Sequence, residues 1–480
     1  MNLENLVAIL PLAALIVWAV LVLLVDLWIP KSRKFITALI TAAGLALSLG
    51  LTLAQNGQSR SAFGGMVAVD GFAVLLNVIF LASGLAAVAL AYDYLKRMGI
   101  ERGEYYALLL FSISGMMLMA YASDLIIVFL ALELLSIPLY VLAGFARPRS
   151  ESEESSLKYF LLGAFASGFV LYGVAMIFGA TARTDLAGIV AAMGSGTGNP
   201  LLFIIGAGLL LVGFGFKVAA VPFHMWTPDV YQGAPTPVTG FMSVAVKAAG
   251  FTALLRVFTA LFRGDVYADL WPLLWGMAAL TMIAGNVLAI SQKNIKRLLA
   301  YSSIAHAGYL LMAFVPYGTR LQGDAVASTL FYLIAYGLTS FGAWAVVVAL
   351  EKNEGMGLEI EDFAGAGRRY PWLGLAMIVF MLSFTGIPLT LGFWGKLYLF
   401  RTAVEGGYIG LALVGLLTSI VSAYYYLRVL VVMYMKPGEP VAQGGPWVNI
   451  LAVATAAAVV LLALFPGPIL DLVSKAIMLQ

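Results

Sequence analysis

The sequence predicts an all-α integral membrane protein of about fourteen transmembrane helices, with two inverted five-helix repeats that each contain a broken helix. Three observations predict this class. The 480-residue chain is 62% hydrophobic and only 11% charged, with a mean hydropathy of +0.98, far above the apolar share of soluble domains. Apolar runs of about twenty residues, each long enough to cross a hydrocarbon core near 30 Å, recur along the whole length. The runs are continuous rather than alternating, which excludes a transmembrane β-barrel, and no strand is expected.

The first run, near 5–28, starts at MNLENLVAIL without the basic start or small-residue cleavage site of a secretory signal. KSRK follows it at once, so it reads as a retained first helix. Runs near 35–54 and 70–94 complete an opening unit of three peripheral helices, residues 1–100. Runs near 105–121, 124–144, 157–180, 200–222 and 236–262 form the first five-helix repeat, within 101–267. Runs near 270–290, 298–316, 326–350, 372–402 and 408–435 form the second, within 268–436, and the fourth of these is interrupted by Pro388 and three glycines. A terminal helix near 449–470 occupies 437–480. Each repeat has a proline- or glycine-interrupted run beside a lysine, Lys217 or Lys396, at an offset of 179 (396 − 217). Five helices is an odd number, so the second repeat starts on the opposite side of the membrane and is inverted.

Loop charge sets the orientation. One set of loops carries Lys31, Arg33, Lys34, Lys96, Arg97, Arg102, Arg147, Arg149, Lys158, Lys293, Lys296, Arg297, Lys352, Arg368, Arg369 and Lys436. The intervening loops and the C-terminus hold Arg60, Arg183, Arg263, Arg320, Arg401 and Lys475. That asymmetry places the first set in the cytoplasm and both termini on the periplasmic side. The net charge of +3 is this asymmetry, not a nucleic-acid footprint.

Against this background four charges stand inside apolar stretches: Glu133, Lys217, Lys247 and Lys396. A charge at the bilayer centre costs roughly 2.5–3.5 kcal/mol on insertion scales, so such residues mark routes for protons or small cations. Glu133 lies nine residues beyond Asp124, about 14 Å deep at helical rise. Pro138, five positions on, cannot donate to the carbonyl of Leu134. Pro222 likewise leaves the carbonyl of Val218 without its usual donor, beside Lys217. Broken helices at comparable places in two halves point to a transport site.

A lysine or arginine near a helix end snorkels to the interface, which fits Arg256, Arg428 and Lys475 but not Lys247, whose neighbours are nearly all uncharged. Glu133 could serve a structural ion pair. His306, in SSIAHAGYLLMA, is either a hydrogen-bonded bundle residue or a proton relay, and His224 reads as a helix cap. The absence of cysteine removes iron–sulfur clusters, thiolate metal sites and covalent haem. With two histidines and no glycine-rich nucleotide fingerprint, no bound cofactor or metal is expected, and any redox chemistry belongs to a partner.

The segments VPFHMWTPDVYQGAPTPVTGFMSVAVKAAGF, GNVLAISQKNIKRLLAYSSIAHAGYLLMA and LSFTGIPLTLGFWGKLYLF closely resemble the antiporter-like membrane subunits of bacterial proton-translocating NADH–quinone oxidoreductase (complex I). That family is shared with the Mrp cation antiporters and membrane-bound hydrogenases. The resemblance covers essentially the whole chain, and PDVYQGAPTPV favours the N branch over L and M. It implies that Glu133 pairs with Lys217, that Lys247 lies on a central polar axis and that Lys396 occupies a second half-channel. It also implies a bacterial inner-membrane location in a hetero-oligomer with paralogous and small membrane subunits, where NADH, FMN, iron–sulfur clusters and quinone are held by partner subunits. A sodium–proton antiporter of Mrp type and a non-conducting structural subunit are the alternatives.

Overall fold

The computed structural model describes residues 3–261, 265–316, 322–353 and 355–476. Among them, eleven helices are long and apolar enough to cross a membrane, with two shorter apolar helices, Leu10–Asp26 and Pro371–Thr385. The most enclosed are Thr236–Leu261, 94% buried over its apolar window, and Gln322–Leu350, 89% buried. Pro446–Leu464 and Ser150–Thr181, at 33% and 39%, present wide apolar faces outward. Helices apolar all round suit either a large core or a lipid environment, and here the two central helices take the core.

Packing between helices relies on small residues, as it must where lipid offers no hydrophobic incentive to associate. An added Cβ at Gly173 would meet the carbonyl of Gly206 at 2.9 Å, and one at Gly285 would meet the backbone of Ala305 at 2.5 Å. Both sites need glycine for backbone approach.

The interrupted runs are broken helices. Pro200–Val218 ends on Ala219 in the left-handed region (φ 60°), and an irregular stretch leads to the short helix Trp226–Gly233. Pro371–Thr385 ends on Gly386 (φ 88°), and Leu391–Glu405 resumes after Thr390. Pro138, by contrast, sits inside the continuous helix Leu125–Ala143. Thr236–Leu261 contains a π-helical turn, Met242–Val246, directly before Lys247; such turns widen the helix and occur often at functional sites.

Four expectations need correction. A two-stranded antiparallel ribbon pairs Arg60–Ala62 with Val67–Val69; strands of three residues are too short to show an alternating pattern. Lys296 is not in a loop but in the first turn of the helix Ile295–Met312, fully buried. Arg256 does not snorkel: it is 3% exposed and donates from Nη1 and Nη2 to the two carboxylate oxygens of Asp70 at 2.7 Å each, with further bonds to the carbonyl of Ala120. His224 does not cap the helix that follows it: Met225 stands at the N-cap of Trp226–Gly233, without a side-chain bond. Arg263 and Arg320 lie outside the described residues.

Candidate functional site

Three buried lysines lie on helices that the breaks and the π turn position. Lys217 occupies the last turn of Pro200–Val218, just before the first break, and is 4% exposed. Its Nζ donates to Ser136 Oγ at 2.6 Å and lies 5.4 and 5.6 Å from the ring centres of Tyr159 and Tyr140. Aromatic faces and a hydroxyl thus replace part of its hydration. Ser136 is three residues beyond Glu133 on the same helix, so the two share a face. Glu133 is half-buried, with Oε1 enclosed and without a hydrogen-bond partner. No ion pair within 4.0 Å joins it to Lys217 among the described residues; Ser136 stands where direct contact was expected.

Lys247 follows the π turn and is 2% exposed. Its ammonium donates to the backbone carbonyl of Ser303 and lies 5.7 Å from the Tyr336 ring. One turn on from Ser303, His306 is held from both sides: Nδ1 to the Tyr332 hydroxyl at 2.5 Å and Nε2 to the Tyr426 hydroxyl at 3.1 Å. Tyr426 in turn bonds Ser302 Oγ at 2.5 Å. With both ring nitrogens engaged by groups that donate or accept, the imidazole is a link in a chain of hydroxyls rather than an isolated core residue.

Lys396 lies in Leu391–Glu405, beyond the second break, 4% exposed. It donates to the Thr385 carbonyl at 2.9 Å and to Ser419 Oγ at 2.7 Å. The carbonyl is one that the break frees from its helical partner. The Tyr309 ring lies 4.7 Å from Nζ and 5.7 Å from the His306 ring. Lys247, His306 and Lys396 therefore lie along one polar row.

Lys217 is set apart from that row. Beside it lies a cavity of about 10 Å³ lined otherwise by apolar residues, including Leu135, Phe214, Val246 and Ala249. That volume holds roughly one water. Gly250 allows the approach of the central helix there, since a Cβ would come within 2.8 Å of Val218.

Besides Arg256 and Asp70, further buried charges did not stand out in the sequence, among them Lys296 and Glu351. Lys296 donates to the Ala234 carbonyl at 2.6 Å. Glu351, fully buried after the end of Gln322–Leu350, accepts at Oε1 from the Tyr94 hydroxyl at 3.2 Å and the Gly355 amide at 2.9 Å. Both sit at helix ends, where a charge in the sequence looks like a loop residue. Nearby, a cleft of about 380 Å³ is lined by residues that include Lys158, Asp229, Asn294 and Arg297. There Asp229 accepts from Lys158 at 2.8 Å and from Arg297 at 2.7 Å. Burial raises the Asp229 carboxyl, but those two hydrogen bonds outweigh it and hold the group below its ordinary range.

Residues 122–422 match the family model described as the NADH:quinone oxidoreductase/Mrp antiporter transmembrane region. The NADH-quinone oxidoreductase subunit N of Trichlorobacter lovleyi is 46% identical, over 99% of this chain and 97% of that one. The subunit N of Chloroflexus aggregans is 44% identical, over 97% of this chain and 96% of that one. Among solved structures, a chain of respiratory complex I from Thermus thermophilus superposes with a TM-score of 0.84 at 39% identity, covering 97% of this chain and all of that one.

Proposed function

The chain belongs to the NADH:quinone oxidoreductase/Mrp antiporter family, and from that premise we propose that it is a membrane-arm subunit of a proton-translocating NADH–quinone oxidoreductase. It moves protons through Glu133, Lys217, Lys247, His306 and Lys396, coupled to quinone reduction in neighbouring subunits. The redox groups belong to those partners. Both termini face the periplasm, and residues 101–267 and 268–436 act as two inverted half-channels.

One observation carries the reading: three lysines, each at most 4% exposed, have no carboxylate within ion-pair distance among the described residues. A buried ammonium needs compensation, and here hydroxyls, carbonyls and ring faces supply only part of it. The balance between charged and neutral lysine is therefore open to control by a neighbour's charge. If Glu133 swings toward Lys217, the ammonium form is favoured; if it swings away, the proton leaves toward Lys247. Moving one charge against 100 mV requires about 2.3 kcal/mol, and a shift of two units in proton affinity is worth about 2.7 kcal/mol. Movement of one ion pair is thus of adequate size. From Lys247, the Ser303 turn, His306 and the Tyr309 ring lead to Lys396.

The test pairs assembly with transport. Lys217→Ala is expected to leave the complex assembled on native gels while NADH-driven acidification of vesicles falls strongly. Glu133→Ala impairs pumping too, and Glu133→Asp is milder because the charge is kept and only its reach shortened. Normal pumping by assembled Lys217→Ala complex would refute the proposal.

A further inference from the structure

An open groove of about 740 Å³ runs between the helices Pro371–Thr385 and Pro446–Leu464, away from every residue of the proton route. Its walls include Trp372, Leu373, Ile450, Val453 and Ala457, and Arg369 stands at the end where both helices begin. The volume lies within the roughly 300–1,000 Å³ of ordinary ligand sites. Trp372 is 73% exposed, as befits an indole at the level of lipid headgroups.

Charge decides what fits. Arg368 and Arg369 are both exposed, and among the described residues neither makes an ion pair; the nearby Glu361 is taken by Lys436 at 2.8 Å. The helix behind Arg369 starts at Tyr370–Pro371 without a side-chain cap, so its N-terminus adds partial positive charge to the same mouth. The other helix start contributes less, because the Asp93 carboxylate lies against Gly445 there. The unpaired Arg369 guanidinium at the mouth of an apolar trough, with the exposed Arg368 next to it in the chain, complements a molecule with an anionic head and a hydrocarbon tail.

We propose that this groove is a retained binding site for an anionic phospholipid, its phosphate at Arg369 and one acyl chain along Leu373, Val453 and Ala457. Basic sites between transmembrane helices at the cytoplasmic level favour such headgroups, and the loop-charge count puts this mouth on that side.

The test uses the whole purified complex in phosphatidylcholine vesicles containing phosphatidylglycerol with a photoreactive acyl chain. Illumination is expected to label the segment 450–457 in the wild type. Arg368→Gln/Arg369→Gln lowers that labelling roughly tenfold, since each arginine near an anionic surface contributes measurably to retention. Ala457→Phe, which fills the groove and leaves the arginines in place, abolishes it. Excess glycerol phosphate, the head without the tail, does not compete. Equal labelling by photoreactive phosphatidylcholine, labelling unchanged in the double arginine variant, displacement by glycerol phosphate, or crosslinking of a neighbouring subunit into the groove would each overturn the proposal. If Ala457→Phe fails to enter the complex, the arginine variant decides alone, because both of its changes lie on exposed side chains.

Discussion

At the scale of the residue, the question is whether the lysines titrate or merely stand as fixed charges. Arginine separates the two cases, because a guanidinium keeps its proton at any accessible pH. Lys396→Arg and Lys247→Arg are therefore expected to slow proton transfer markedly in assembled complex although the positive charge is preserved. Protons pumped per NADH oxidised is the measurement, and normal values for both variants would leave only a fixed electrostatic role. The same residues show what a sequence can disclose. A lone charge in an apolar run is visible because its neighbours are uniform, so Glu133, Lys217, Lys247 and Lys396 stand out. Their partners do not: Ser136 lies 81 residues from Lys217, and Tyr426 lies 120 from His306. Serines and tyrosines are common, and only the fold selects which of them meet a lysine.

Among the elements, the two breaks carry the arrangement, and Gly386 is the clearest case. At φ 88° it adopts the left-handed conformation, and an added Cβ would come within 2.8 Å of Lys396 Cδ. An L-residue there costs about 1–2 kcal/mol in backbone energy and displaces the lysine stem. Gly386→Ala is expected to leave the subunit in the complex but to reduce pumping, as the bonds from Lys396 to Thr385 and Ser419 lengthen. Turnover coupled to acidification as in wild type would show that the break tolerates a side chain. Prolines and glycines announced both interruptions in the sequence. The π turn before Lys247 gave no such signal, since MSVAV is ordinary helix-compatible text and its extra residue is absorbed through packing.

For the whole molecule, the buried pair Arg256–Asp70 fastens the central helix to the start of Gly71–Arg97, with Ala120 of a third helix as an additional acceptor. It ties together three helices that are distant in the chain. Removing one partner leaves an uncompensated buried charge, at about 3–5 kcal/mol. Arg256→Ala is thus expected to lower assembly yield and melting temperature sharply, whereas Asp70→Asn with Arg256→Met, which retains the helix cap and removes both charges, recovers much of the loss. Equal damage in the double variant would mean that the pair serves something other than cohesion. This fastening was hidden in the sequence for a general reason: Asp70 and Arg256 are 186 residues apart, and each sits near a predicted helix end, where a solvated charge is the ordinary expectation.

The small gap beside Lys217 has a consequence for energy conservation in the intact membrane. A respiratory membrane is a charged capacitor, and any continuous file of water through it is a short circuit. Apolar walls around a space of about 10 Å³ resist filling, in the way hydrophobic constrictions close channels by drying. On the proposed route, such a gap would act as insulation, conducting only while it is wetted. Ala249→Ser would put a hydroxyl into that wall. Vesicles holding the variant complex are expected to lose an imposed proton gradient faster than wild type with no NADH present, and an unchanged decay would place the insulation elsewhere.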